Sequence, residues 1–413
     1  MRLRRTLIIF ALLMFEAAAK NQAQILPELN FPLSGETNAL GGAAVSFVSK
    51  NPLAAITNPA LLGLSSLKPI FSTSFSPQTP TSTTFPYYSD GSLSALGVNL
   101  GYPLNNVWDI NALRVGVGVG YSSLNYSFLP LNTLGPEPIN RESDVVSGIT
   151  AGIGLDYLVK FGLGYKYKWV SIKDASFPAH SLTSEDFGAL LDVPVDRVIS
   201  NLEHIPALIS GDLQPELNVT CGYAERNTSN DYVFGSVLPK QSALGLDLEV
   251  GLKTEVANHL WRLISLRILR QANANMVSED SSLAVNQEGD TSITFRDSYR
   301  RGFGNFLFSR NLIVGRPGGV VGISKGWQIG LGQLIYLRDG SVTNPGYPTY
   351  TTFGWGASTK GLIRLLVFVH WLYPSQSLTQ FLLTHFDLEF DYSKATGGPF
   401  AQVPFESLSV ILW

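Results

Sequence analysis

Cysteine is almost absent. Cys221 stands alone in 413 residues, which excludes a disulfide framework and a thiolate zinc cluster. Its place in an alternating stretch suits a small apolar wall residue better than a reactive thiol. Charge is scarce too: charged residues make up 15% of the chain, against about 25% in an ordinary soluble domain. The formal net charge of −3 gives no reason to expect nucleic acid as a partner. Long hydrophobic runs are missing beyond the N-terminus. The richest, Leu362 to Leu372, carries Arg364 and His370 and falls short of the roughly 20 residues a spanning helix needs.

The five histidines (His180, His204, His259, His370 and His385) are scattered. Only His385 has acidic neighbours on its own strand face, Asp387 and Glu389. Each such step is about 6.5–7 Å along a strand, so a metal site would need ligands from other strands. No serine–histidine pair held by a third group stands out. Neither an enzyme nor a cofactor is expected.

Present in excess is glycine, with 39 residues, and it falls inside strand-like stretches. Leu113, Val115, Val117, Val119 and Tyr121 alternate with Arg114, Gly116, Gly118, Gly120 and Ser122. Phe161 to Trp169 alternates in the same way with Lys160, Gly162, Gly164, Lys166 and Lys168. Leu244 to Leu252 alternates with Gly245, Asp247, Glu249, Gly251 and Lys253. Near the end Leu382, Phe386, Leu388, Phe390 and Tyr392 oppose His385, Asp387, Glu389 and Asp391. Side chains alternate across a strand, so each stretch has a greasy face and a face of glycine or charge. The glycines at 116, 118 and 120 lie on one face of a continuing strand and are not a phosphate loop, which needs a turn and then a helix.

A soluble sandwich and a membrane barrel both give such alternation. The stretches reach the 9–11 residues of a spanning strand. Tyr and Trp gather at stretch ends (Tyr102, Tyr121, Tyr157, Trp169, Trp371, Tyr392, Trp413), as an interfacial girdle requires. Charges on the inner face suit a hydrated lumen better than a dry core. The expectation is an all-β fold, a transmembrane antiparallel β-barrel in the bacterial outer membrane with the lipid bilayer as its partner. Further strands are expected at Ile70–Ser76, Leu93–Tyr102, Ile149–Tyr157, Glu216–Ala224, Trp261–Leu269, Phe303–Val314, Val320–Leu337 (one or two), Phe353–Thr359, Leu362–Trp371 and Phe405–Trp413. The total is 12 to 16, with 14 preferred because such barrels have even strand numbers.

Residues 158–160 read as a tight periplasmic turn, and 122–148, 171–215 and 270–301 as outer loops. A helical period at Phe187, Leu190, Leu191, Val195, Val198 and Leu202 predicts a short helix or two within 184–213. The last strand, ending in Trp413, is similar to the C-terminal assembly signal of outer-membrane barrels.

The N-terminus differs from the rest. Arg2, Arg4 and Arg5 followed by the apolar run Leu7 to Phe15 predict a cleaved export signal over 1–24. Residues 25–66 form a second unit ahead of a barrel over 67–413. Small residues and Asn-Pro breakers dominate 36–64, which suits a compact plug inside a lumen. The run Ala39-Leu40-Gly41-Gly42-Ala43-Ala44-Val45, followed by Asn58-Pro59-Ala60, resembles the start of PorV/PorQ-type and FadL-type outer-membrane proteins. The chain departs from their pattern in having Lys50-Asn51-Pro52 and Ile56-Thr57 before that tripeptide, where members commonly have an acidic residue and an aromatic.

That resemblance implies a 14-stranded barrel with an N-terminal hatch, and it marks Gly41, Gly42, Asn58, Pro59 and Ala60 as plug or gating residues. Two roles follow from it. One is passive transport of a hydrophobic small molecule. The other is an outer-membrane component of type IX secretion that binds protein cargo and other secretion proteins. Arg114, Lys166, Lys168, Asp247, Glu249, His385, Asp387 and Glu389 are expected to face the lumen, as cross-strand ladders or as a selective polar lining.

Overall fold

The computed structural model describes residues 34–81, 88–106, 113–130, 142–173, 180–203, 213–228, 241–256, 259–275, 281–285, 291–295, 311–313, 321–343, 349–397 and 404–413. The export signal expected over 1–24 lies outside them, as does most of Phe303–Val314.

Among the described residues sixteen strands form: β1 (Ile70–Thr81), β2 (Tyr88–Pro103), β3 (Arg114–Pro130), β4 (Glu142–Asp156), β5 (Lys160–Lys173), β6 (His180–Pro194), β7 (Leu213–Arg226), β8 (Gln241–Val256), β9 (His259–Asn275), β10 (Ser281–Val285), β11 (Thr291–Phe295), β12 (Val321–Leu331), β13 (Ile335–Thr343), β14 (Tyr350–Ser358), β15 (Phe386–Thr396) and β16 (Pro404–Leu412). β10 and β11 make a separate hairpin. The other fourteen pair antiparallel with their neighbours and close through β1 and β16. Closure satisfies every edge, the condition for crossing lipid with strands.

The alternation becomes a wall with two faces. Outward residues such as Val119 (55% exposed) and Ile268 (53%) form an apolar belt, while Gly116, Gly118, Gly120 and Ser122 on the other parity are buried. An apolar surface this extensive is the lipid-facing band of an outer-membrane barrel. The turn at 157–159 and the ends of the strands at Trp413 and Ile70 share one rim, the periplasmic one by the short-turn rule.

Several expectations need correction. Residues 171–215 are not one outer loop, because they contain β6, which returns to the periplasmic rim. There the helix α3 (Val195–Glu203) follows. Phe187 and Leu190 are strand residues on opposite faces: Phe187 is exposed, and Leu190 packs inward against Ala54, Ala60, Leu61 and Leu64. With an apolar residue on each face, the alternation is blurred.

Leu362–Trp371 is not a strand. Thr359–Phe368 forms a helix, and Ser377–His385 forms another before β15 begins at Phe386. The run burying Gly361, Ile363, Arg364 and Val367 follows a helical period. Residues 311–313 of the expected strand Phe303–Val314 form a helical turn, and the segment Val320–Leu337 divides between β12 and β13.

A plugged lumen and its charged vestibule

Residues 34–67 occupy the barrel interior. They comprise α1 (Gly35–Ala39), a 3-10 turn (Pro52–Ile56) and α2 (Ala60–Ser65). Ala39, Leu40, Ala43, Ala44, Val45, Phe47, Leu53 and Leu62 are buried. Each segment is too short to be a stable helix alone, so the plug depends on the wall for its shape.

The wall meets it with glycine. Gly118, Gly152, Gly164 and Gly188 are in register across β3 to β6, and Gly116, Gly154 and Gly162 form a second row. α2 lies in this trough. A Cβ on Gly164 would stand 2.2 Å from the carbonyl of Pro59, and one on Gly63 would stand 2.2 Å from the Ile153 oxygen. Real Cβ atoms do not approach that closely, so the seat requires glycine on both sides. Gly222 and Gly245 receive Val45 and Ser46 in the same way, and Gly326 and Gly340 receive Leu40 and Gly41.

Polar groups fix the plug in this seat. Asn58 is fully buried. Its Nδ2 donates to the carbonyls of Val45 (2.7 Å) and Ala189 (3.3 Å), and its Oδ1 accepts from the Ala60 amide (3.0 Å). Asn58 thereby starts α2 and ties two plug segments to β6, while Pro59 sits between them with the φ that suits a helix start. Gly41 and Gly42 both have positive φ (63° and 70°), a backbone that other L residues rarely adopt. The Gly41 amide donates to Thr352 Oγ1 (3.1 Å), which donates to the Ala39 carbonyl (3.0 Å). The Val45 amide donates to Gln271 Oε1 (2.8 Å), and Asn38 Nδ2 donates to Ser393 Oγ (2.9 Å). Replacing Asn58 with alanine strands the Val45 carbonyl and the Ala60 amide. The expected loss is about 1–3 kcal/mol, read as a lower urea midpoint and faster protease cutting within 34–66.

Charges lie on both sides of the plug. Above it, Lys166 donates to Ser122 Oγ (2.7 Å), and Lys168 pairs with Asp186 (2.5 Å) and donates to Asn227. Below it, a cavity of about 1010 Å³ opens toward the periplasmic rim, lined largely by charged side chains. Arg338, 2% exposed, pairs there with Asp391 (2.6 Å) and Glu36 (3.1 Å), and its Nε donates to Gln328 (2.7 Å). Arg262 pairs with Glu216 (2.6 Å) and Glu249 (2.6 Å), Arg267 with Asp247 (3.4 Å) and Glu249 (3.3 Å), and Lys50 of the plug with Asp387 and Glu389 (both 3.4 Å).

The residues singled out from sequence therefore divide. Gly41, Gly42, Asn58, Pro59 and Ala60 all lie in the plug. Lys166 and Lys168 sit above it, and Asp247, Glu249, Asp387 and Glu389 below, with Arg114 at the cavity edge. His385 is elsewhere. It ends the helix before β15, exposed, with Nδ1 bonded to the Trp413 carbonyl (2.7 Å). Trp413 is not part of a lipid girdle either, since its ring lies under Lys360 (3.5 Å) and lines the cavity.

Sequence reading missed Lys50, Arg262, Arg267 and Arg338. Arg267 had a signal, being polar between the outward Leu266 and Ile268. The plug's own charges, Glu36 and Lys50, had none, because their partners are more than 300 positions away.

Burial, reinforced by the nearby charges of Lys50 and Arg364, pushes the Lys360 ammonium down to about 7. A lysine lowered in this way is charged at pH 6 and mostly neutral by pH 8. Its acylation by an amine reagent is expected to rise through a midpoint near 7, well before ordinary lysines, as followed by peptide mass spectrometry.

No protein-family model matches the chain, and no curated protein sequence matches it. Among solved structures, the toluene transporter TodX of Pseudomonas putida is similar over 93% of this chain and 97% of its own, at 11% identity and a TM-score of 0.36. The CymD monoaromatic hydrocarbon channel is similar over 92% and 96%, at 11% identity and a TM-score of 0.34. The transport unit of the autotransporter AIDA-I from Escherichia coli is similar over 84% and 89%, at 7% identity and a TM-score of 0.35. Such likenesses concern barrel shape and say nothing of cargo. On its own geometry, with a closed wall, an apolar belt and a filled lumen, the chain is a plugged fourteen-stranded barrel of outer-membrane architecture.

Proposed function

We propose that the protein is a gated passive conduit that admits a small hydrophobic molecule from the outside and passes it toward the periplasm. One observation carries this reading. Above the plug, Ala95, Leu124, Val146 and Val170 are in register across β2 to β5. They have the parity of the plug-facing glycines and are buried. Leu93 and Tyr126 extend the row. A lumen built only for ions or sugars has no use for an apolar inner row, whereas a hydrophobic solute gains roughly 25 cal/mol per Å² of apolar area it buries there. The polar vestibule below gives such a molecule little to hold, which favours release once the plug yields near Asn58-Pro59-Ala60.

The test is a ligand search by native mass spectrometry on the detergent-purified protein. A hydrophobe is expected from the wild type and is expected to be lost from Leu124→Asp and Val146→Asp, together with uptake by cells. An empty lumen, with secretion proteins co-purifying, would replace this reading with the secretion role, which rests on the resemblance of residues 39–60 alone.

A further inference from the structure

The periplasmic rim carries two helices that the barrel does not need for closure, α4 (Thr359–Phe368) and α5 (Ser377–His385). α4 leaves the end of β14 and packs Gly361 against the turn at Gln333 and Leu334 between β12 and β13. It ends with Phe368 5.6 Å from Trp261 at the start of β9. Ten helical residues rise roughly 15 Å, which matches about three strand spacings of roughly 4.8 Å. The helix thus follows the edge of the wall rather than crossing the mouth.

Its two sides differ. One side turns Lys360 and Arg364 to the vestibule and packs Ile363 and Val367 with Leu383 of α5. The other side is apolar and uncovered. Leu362 and Phe368 of α4 are exposed, as are Val369 and Trp371 in the connection and Leu378 and Phe381 of α5, Trp371 at 77% and Leu378 at 68%. From residue 359 to 385 the chain has no acidic residue.

We infer that this hairpin inserts its uncovered face among the lipids of the periplasmic leaflet. Three observations identify lipid as the occupant. Six large apolar side chains stand exposed within 20 residues of chain, and grouped exposure of this kind marks an interaction surface. It adjoins the established lipid belt, since exposed Leu331 and Ile335 flank the turn that α4 packs on. The absence of carboxylates suits an anionic phospholipid surface, and Trp371 and Tyr373 are the residue types that settle at headgroup level. The inference does not depend on what passes through the lumen.

The test uses the full chain in liposomes of phosphatidylethanolamine and phosphatidylglycerol. In a Cys221→Ala background, single cysteines at Trp371 and at Leu378 are labelled with a small fluorophore, with Val250→Cys as the lipid-facing standard. Brominated acyl chains are expected to quench both labels to at least half the extent seen at Val250, while iodide in the buffer quenches them weakly. Strong iodide quenching without bromine quenching at both sites would overturn the inference and leave the hairpin as a surface for a periplasmic protein. If one variant does not fold, the other decides.

Discussion

Replacing Gly164 with valine is expected to unseat the plug and turn a silent barrel into a conducting one. The added Cβ would meet the Pro59 carbonyl at 2.2 Å and the Ala60 amide nitrogen at 2.5 Å. Both are backbone, so no rotamer change relieves the clash. β5 cannot retreat, because Gly164 pairs with Gly152 on one side and with Gly188 on the other. Overpacking commonly costs about 1–3 kcal/mol, and a clash of backbone against a fully paired wall belongs at the upper end. The plug has no long helix or sheet of its own, so it is the part that gives. In planar bilayers the wild type is expected to show a flat baseline and Gly164→Val discrete opening steps. Val119→Leu, facing lipid, is expected to stay silent. A silent Gly164→Val that still holds residues 34–66 against protease would show that the glycine trough is not what seats the plug.

The second large effect is expected at Arg338. It bridges the plug and the wall, holding Glu36 of α1 and Asp391 of β15 with Gln328 beside it. All four are buried. Arg338→Met leaves two carboxylates facing each other without a cation, a change that costs about 3–5 kcal/mol when the pair is buried. Neutralising both acids as well (Glu36→Gln and Asp391→Asn) is expected to restore most of the loss, because the penalty comes from the stranded charges rather than from missing packing. Urea unfolding of the three forms measures this. A loss below about 0.5 kcal/mol, the range of an ordinary surface substitution, would mean that water reaches the triad and that the plug is not anchored there.

The wall was legible in the sequence wherever one face stayed uniformly apolar. β3, β5 and β8 show their zigzag because lipid selects one face and the lumen tolerates glycine or charge on the other. β6 was hidden by the plug itself: Leu190 faces inward because α2 and the 3-10 turn cover it, and that neighbour is more than 100 positions away. The run at 362–371 reads as strand because Leu, Ile, Val and Phe suit both states. Only the spacing of Ile363, Arg364 and Val367 on one side reveals the helix. The glycines were recognisable as small inward residues. Their purpose was not, since a seat is defined by what sits in it. Gly41 and Asn58 could be singled out from their motif, but the partners that hold them, Thr352 and the Ala189 carbonyl, are joined to them only by the closed fold.

Underlying everything else is the assignment of the two faces of each wall strand, one to hydrocarbon and one to an enclosed interior. Spin labels placed one at a time at Leu248, Glu249, Val250, Gly251 and Leu252, with the protein in liposomes, test it directly. Collisions with dissolved oxygen should be frequent at 248, 250 and 252 and rare at 249 and 251, while a water-soluble nickel chelate should not reach the first set. Uniform access of the chelate to all five positions would contradict the account.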